Sequence, residues 1–179
     1  NPDQKKAVAE RLGALLADPA TSLATKQFVC EQLLLVGTDA HVPTLVKMLG
    51  DPKTAEMARQ ALQGIPGDAS LQALREALAS QKGRALAGVI NSLGIRRDAA
   101  SAAALAQRLG DADAEVAAAA VEALGRIATP QAAQALMAAT APAGAEAALF
   151  DARLRAAERL AAGPDPKAAL DLYAKLLAG

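Results

Sequence analysis

Leucines set in similar words recur at a nearly fixed interval along this chain. Leu33 in FVCEQLLLVG, Leu62 in ARQALQGI, Leu93 in AGVINSLGI and Leu124 in AAVEALGRI lie 29, 31 and 31 residues apart, and Leu160 in RLRAAERLAAG follows after 36. The longer last step takes in Ala141-Pro142-Ala143-Gly144. A period near 30 residues belongs to supersecondary units that are each too small to bury an apolar stripe and that complete a core by stacking. Shorter echoes follow the same beat. Leu49-Gly50-Asp51 returns as Leu109-Gly110-Asp111, and Asp18-Pro19 returns 33 residues later as Asp51-Pro52. That places Lys5 to Ala17 as the second half of a split or truncated repeat.

Each anchor leucine sits in a helical pattern that is followed by a short turn and a second helix. The second helices read VPTLVKML from Val42, LQALREAL from Leu71, AAALAQRL from Ala102, AQALMAA from Ala133 and AALDLYAKLL from Ala168. Val42, Leu45 and Leu49 fall at i, i+3 and i+7, as do Leu71, Leu74 and Leu78, and Ala102, Leu105 and Leu109, which is one apolar helix face. Lys47, Arg75, Glu76, Gln107 and Arg108 suit the solvated side. The turns carry matching chemistry. Glycines 37, 50, 64, 67, 94, 110 and 163 are placed to give left-handed helix ends. Asp39, Asp68 and Asp98 are placed to cap helix starts, and Thr129 caps a helix opened by Pro130.

The chain is 53% hydrophobic but only 2% aromatic, with alanine supplying much of the difference. Alanine favours helix and close helix approach, and little alternation of β-branched residues argues for strands. The reading is all-α: about eleven helices in a right-handed α-solenoid of stacked antiparallel helix pairs. Tetratricopeptide repeats, with a period of about 34 and large aromatics at set places, are disfavoured by one Tyr, two Phe and no Trp. Residues 1–179 read as one repeat domain of about five helix pairs plus a leading helix, or as a piece of a larger protein.

The stretch LGDADAEVAAAAVEALGRIATPQAAQAL resembles a bacterial HEAT repeat of the short variety also found in bilin-lyase-like proteins. Asp111, Val116, Ala120, Ala123, Leu124 and Gly125 carry the likeness. The family's Asp–Arg ladder is mostly absent: its arginine slot holds Ala117, Ala55 and Leu86, and only Lys26 and Arg153 are basic there. The resemblance implies a stack whose anchor helices line a concave surface. The words QFVCEQLLLVGTDAHVP and GVINSLGIRRD are also similar to HEAT segments of large, often exported bacterial proteins. This implies a lean towards export, with the compartment otherwise unassigned.

The search for reactive constellations returns little. Nineteen basic residues balance nineteen acidic ones and are scattered, which disfavours nucleic acid. No apolar run reaches the roughly 18 residues of a membrane span, so no membrane insertion is expected. Asn1-Pro2 opens the chain inside a repeat, so a processed chain or fragment would hide a targeting signal. His41 is the only histidine and Cys30 the only cysteine. They lack the partners of a zinc site or a nucleophilic dyad, so Cys30 reads as a small core residue and His41 as part of a turn. Asp111, Asp113 and Glu115 read as capping groups, and Gly64-Ile65-Pro66-Gly67 as a turn. No catalytic residue, cofactor or metal site is assigned.

Two features stand above this background. Asn91 is polar within an apolar helix, reading either as bonded to a neighbouring turn or as a contact on the inner groove. Arg96-Arg97-Asp98 forms a tight turn in which Arg97 either braces a carboxylate or helix end or meets a partner. The exposed anchor-helix positions are Lys26, Glu31, Arg59, Gln60, Gln63, Asn91, Glu122, Arg126 and Arg155. The expected function is a non-enzymatic, monomeric scaffold binding a protein or peptide on its concave face, centred on Arg59, Gln60, Gln63, Asn91, Arg96 and Arg97. The alternatives are a bilin-lyase-like enzyme or chaperone acting on a chromophore, and a structural spacer in a larger protein.

Overall fold

Alanine-rich runs punctuated by Asp, Pro and Gly give short helices with built-in stops. The computed structural model describes residues 2–141, 145–163 and 166–178, and no strand occurs among them. The helices are α1 (Pro2–Ala17), α2 (Leu23–Val36), α3 (Val42–Leu49), α4 (Ala55–Gly64), α5 (Asp68–Ser80), α6 (Gly83–Ile95), α7 (Ala102–Ala106), α8 (Ala114–Ile127), α9 (Pro130–Ala138), α10 (Glu146–Ala161) and α11 (Lys167–Leu177). Short 3-10 turns, Asp39–His41 and Ala99–Ser101, lead into α3 and α7. Pro142, Ala143 and Gly144, assigned from sequence to the long spacing, lie outside the described residues.

The chain forms two compact units, Asn1–Gln81 and Lys82–Gly179. In the first, α1, α2 and α4 pack in succession, and α3 and α5 pack against each other as a second layer. In the second, α6, α8 and α10 form one layer and α7, α9 and α11 the other. Each unit is therefore a two-layer stack of antiparallel helix pairs, the all-α architecture of helical-repeat solenoids.

The anchor leucines hold the layers together. Leu33, Leu62, Leu93 and Leu124 are fully buried and Leu160 nearly so. Where core side chains are this small, backbones must approach closely, and glycine permits it. A Cβ added at Gly94 of α6 would lie 2.6 Å from the Cα of Ala123 on α8, and one at Gly125 of α8 would lie 2.9 Å from the Cα of Ala152 on α10. The Ala-Leu-Gly word thus couples a buried leucine to a helix contact. The second helices follow the expected face less closely. Val42, Leu45 and Leu49 are buried, but in α5 the buried set is Ser70, Ala73, Leu74 and Ala77, with Leu71 and Leu78 only half-buried. Leu109 lies beyond α7, which ends at Ala106.

The turns repeat in hydrogen-bond detail. Asp18 Oδ1 accepts from Ala20 N at 2.8 Å, Asp51 Oδ1 from Lys53 N at 2.9 Å and Asp111 Oδ1 from Asp113 N at 3.1 Å. This carboxylate-to-backbone turn, closing two residues on, is why the aspartate recurs. Asp113 caps α8, accepting from Glu115 N and Val116 N, and Thr129 caps α9 ahead of Pro130. Two expected caps move. Asp39 and Asp68 are the first residues of their helices, with Thr38 and Gly67 in the cap positions. The glycine expectation also needs correction. Of the seven named, only Gly67 has a left-handed φ, at 100°; among non-glycine residues it is Arg97 and Ala128, both at φ 51°, that adopt one.

Candidate functional site

Each anchor helix carries a polar residue two positions before its buried leucine. These are Glu31 on α2, Gln60 on α4, Asn91 on α6, Glu122 on α8 and Glu158 on α10, and all five are exposed or half-exposed. The 3.6-residue period explains the pattern, since a step of two residues turns the side chain about 160° away from the leucine.

In the first unit this face is wired within its helices. Arg59 donates through Nε to Glu56 Oε2 at 3.0 Å and through Nη2 to Glu56 Oε1 at 2.5 Å, and through Nη1 to Gln63 Oε1 at 3.2 Å. Gln60 Nε2 donates to the same Glu56 at 2.9 Å. The Arg59 side chain is only 11% exposed while Glu56 is 65% exposed. Arg59, expected to be an exposed contact, is instead mostly covered and holds Glu56 and Gln63 in place, so a ligand would meet Glu56 and Gln60 first. On α2, Phe28 and Leu35 stand seven residues apart and are 57% and 72% exposed. The sequence reading singled out neither, because it followed only the anchor leucine on this helix.

The second unit departs from expectation at its polar positions. Among the described residues the half-buried amide of Asn91 has no hydrogen-bond partner, so the expected bond to a neighbouring turn is not made. Arg97 is exposed, and its side chain forms no ion pair or hydrogen bond among the described residues. Its backbone does the work there: Arg97 N donates to Gly94 O at 3.0 Å and Asp98 N to Leu93 O at 3.0 Å. That is a Schellman end, with an arginine where glycine is usual. Asp98 is buried and accepts from the Ser101 hydroxyl. Arg96 is half-buried beside this turn. On α8 and α10, Glu122 accepts from Arg155 at 2.8 Å and lies 3.7 Å from Arg126. This is a half-exposed charge cluster joining adjacent anchor helices.

The two residues with reactive potential are both structural. Cys30 is buried, and burial, aided by Glu31, pushes its thiol up to about 11, away from the thiolate form that reacts. His41 ends the 3-10 turn that leads into α3, as the turn reading requires, yet it is buried and reaches further than a turn. Its Nε2 donates to Ala9 O on α1 at 2.9 Å, and its Nδ1 then accepts from Thr38 N at 3.1 Å. The donor assignment follows from the carbonyl, which can only accept. Arg153, in the family's arginine slot, meets no aspartate. It donates to Leu136 O at 3.0 Å and Ala139 O at 2.9 Å, satisfying the open carbonyl end of α9, and burial lowers its pKa. Among the described residues no group of three His, Cys, Asp or Glu side chains could hold a metal ion, and no helix is long and apolar enough to cross a membrane.

This geometry defines a helical-repeat protein with polar anchor-helix faces. Residues 83–149, from α6 into α10, match the family described as HEAT repeats, so the likeness drawn from the sequence holds there. No curated protein matches the chain. Among solved structures, a designed armadillo repeat protein aligns with a TM-score of 0.57 and 16% identity, covering 95% of this chain and 99% of that one. An engineered protein aligns with a TM-score of 0.55 and 18% identity, covering 95% and 96%. The complex of CpcE and CpcF of phycocyanin lyase from Nostoc sp. PCC7120 contributes a chain at TM-score 0.52 and 17% identity, covering 97% of this chain and 82% of that one. At these identities the likeness is one of fold.

Proposed function

We propose that the chain is a non-enzymatic scaffold that binds a protein or peptide along the exposed faces of its anchor helices, the faces that are concave in helical-repeat stacks. The observation that carries the reading is Asn91. A carboxamide in mid-helix is unfavourable unless it gains a partner, and this one is half-buried with donors and acceptor unused among the described residues. An amide so placed matches a peptide backbone, offering a donor to its carbonyl and an acceptor to its N–H. On the first unit Gln60 occupies the same register on α4, with Glu56 beside it and the mostly covered Arg59 holding Glu56 and Gln63 in place; on the second unit Arg96 and Arg97 complete the proposed contacts. The armadillo and CpcE–CpcF likenesses are consistent with this use of the fold, although function must rest on the site itself.

The test begins with peptides selected by display against the chain. Asn91→Ala and Gln60→Ala each remove an accessible side chain, so the melting temperature should stay within about 2 °C. Affinity for the selected peptides should fall about three- to thirtyfold per residue, the range of a lost buried hydrogen bond. Peptides that bind both variants as tightly as the parent would exclude this face. The alternative of bilin-lyase-like chemistry predicts a shift in the visible spectrum on incubation with a bilin, which a pure scaffold does not produce.

A further inference from the structure

The first unit contains a cavity of about 710 Å³ between α1, the end of α2 and the start of α3, a size in the usual small-ligand range. Leu16, Leu35, Val36 and Pro66 give it apolar walls, and Lys5, Lys6 and Glu10 on α1 supply its charged groups. Three observations point to the chemistry of an occupant. Leu35 is 72% exposed, so a wall of the cavity is apolar surface left to water. Neither lysine ammonium has an ion-pair or hydrogen-bond partner among the described residues, and with Glu10 counted the three groups still sum to one positive charge. The polar group deepest in the lining is already committed: His41 uses Nε2 on Ala9 O and Nδ1 on Thr38.

We propose that this cavity binds an amphipathic carboxylate, with an alkyl chain along Leu16, Leu35, Val36 and Pro66 and the carboxylate at Lys5 and Lys6. A peptide would bring backbone amides that need partners, and His41 has none left to give. A flat aromatic ligand would want a broad aromatic wall, and the lining contains no Phe, Tyr or Trp, only the edge-committed imidazole of His41. An alkyl carboxylate needs only apolar surface and a cation at one end. The site goes beyond the peptide-binding reading and does not depend on it, because none of the residues proposed for peptide contact lines this cavity.

The experiment is calorimetric titration of the whole chain with decanoate and, separately, with decanol. Decanoate should bind saturably at one site. Lys5→Gln combined with Lys6→Gln should weaken decanoate about three- to thirtyfold, since each exposed charge contact is modest, while decanol binding is unchanged. Added salt should weaken decanoate on the parent and not on the double variant. Leu35→Asp, at an exposed position that should leave the helical spectrum intact, should weaken both ligands at least tenfold. Absence of saturable decanoate binding overturns the proposal. So does binding indifferent to Leu35→Asp, or a lysine variant that weakens decanol as much as decanoate.

Discussion

Cys30 shows how a single side chain reports the packing around it. Its thiol is pushed up to about 11, first by burial and second by Glu31, whereas an unfolded chain exposes a cysteine that ionises near 8.5. The folded value is the higher one, so the neutral thiol's contribution is complete below about pH 8.5 and is lost as pH rises towards 11. Urea unfolding at steps from pH 8 to 11 should show the parent losing on the order of 2–3 kcal/mol more than Cys30→Ala across that window. Parallel decline of the two proteins would mean that Cys30 is hydrated in the fold. The small-core role of Cys30 was readable from its place beside Val29 in a helical pattern. The state of Asn91 was not, because sequence reveals a polar residue on an apolar helix but not whether a neighbouring helix offers its amide a partner. His41 was half-read for a similar reason: its turn is local, but Ala9 is 32 residues away in sequence.

At the scale of the helix, ends rather than middles separate expectation from structure. The anchor leucines and the aspartate turns were legible because each depends on a period or on a bond closing within two residues. The left-handed ends were assigned to glycines because glycine enters that region without steric cost, yet α6 and α8 end on Arg97 and Ala128. Non-glycine residues there cost about 1 kcal/mol, and glycine's extra freedom in the unfolded chain offsets part of the relief. Arg97→Gly and Ala128→Gly should therefore each stabilise the chain by about 0.5 kcal/mol in urea unfolding. Loss of stability in Arg97→Gly would show instead that the arginine side chain braces the turn, as one reading of the sequence held. Gly94 and Gly125 serve helix approach, and the sequence marks them only through their place after the anchor leucine. Arg153 is a parallel case. Its slot was visible, but its target is the carbonyl end of α9 rather than an aspartate, an acceptor that no residue letter announces.

The molecule as a whole is built from contacts between nearest neighbours in each layer, and stability in such arrays is a sum of repeat and interface terms. Damage should then spread outward from its source rather than lower every helix alike. Leu124 is the place to test this: it is fully buried on α8, and α8 packs directly on α6, α7, α9 and α10 but not substantially on α11. Leu124→Ala should cost about 2–5 kcal/mol, as large-to-small changes in close-packed cores do. Amide hydrogen exchange followed by mass spectrometry should show protection falling most in α8, then in α6 and α10, and least in α11, which touches the damage only through α9 and α10. An equal loss of protection through all the helices of that unit would mean that it unfolds as one cooperative block. The nearest-neighbour account would then fail for this chain, even though its architecture is repetitive.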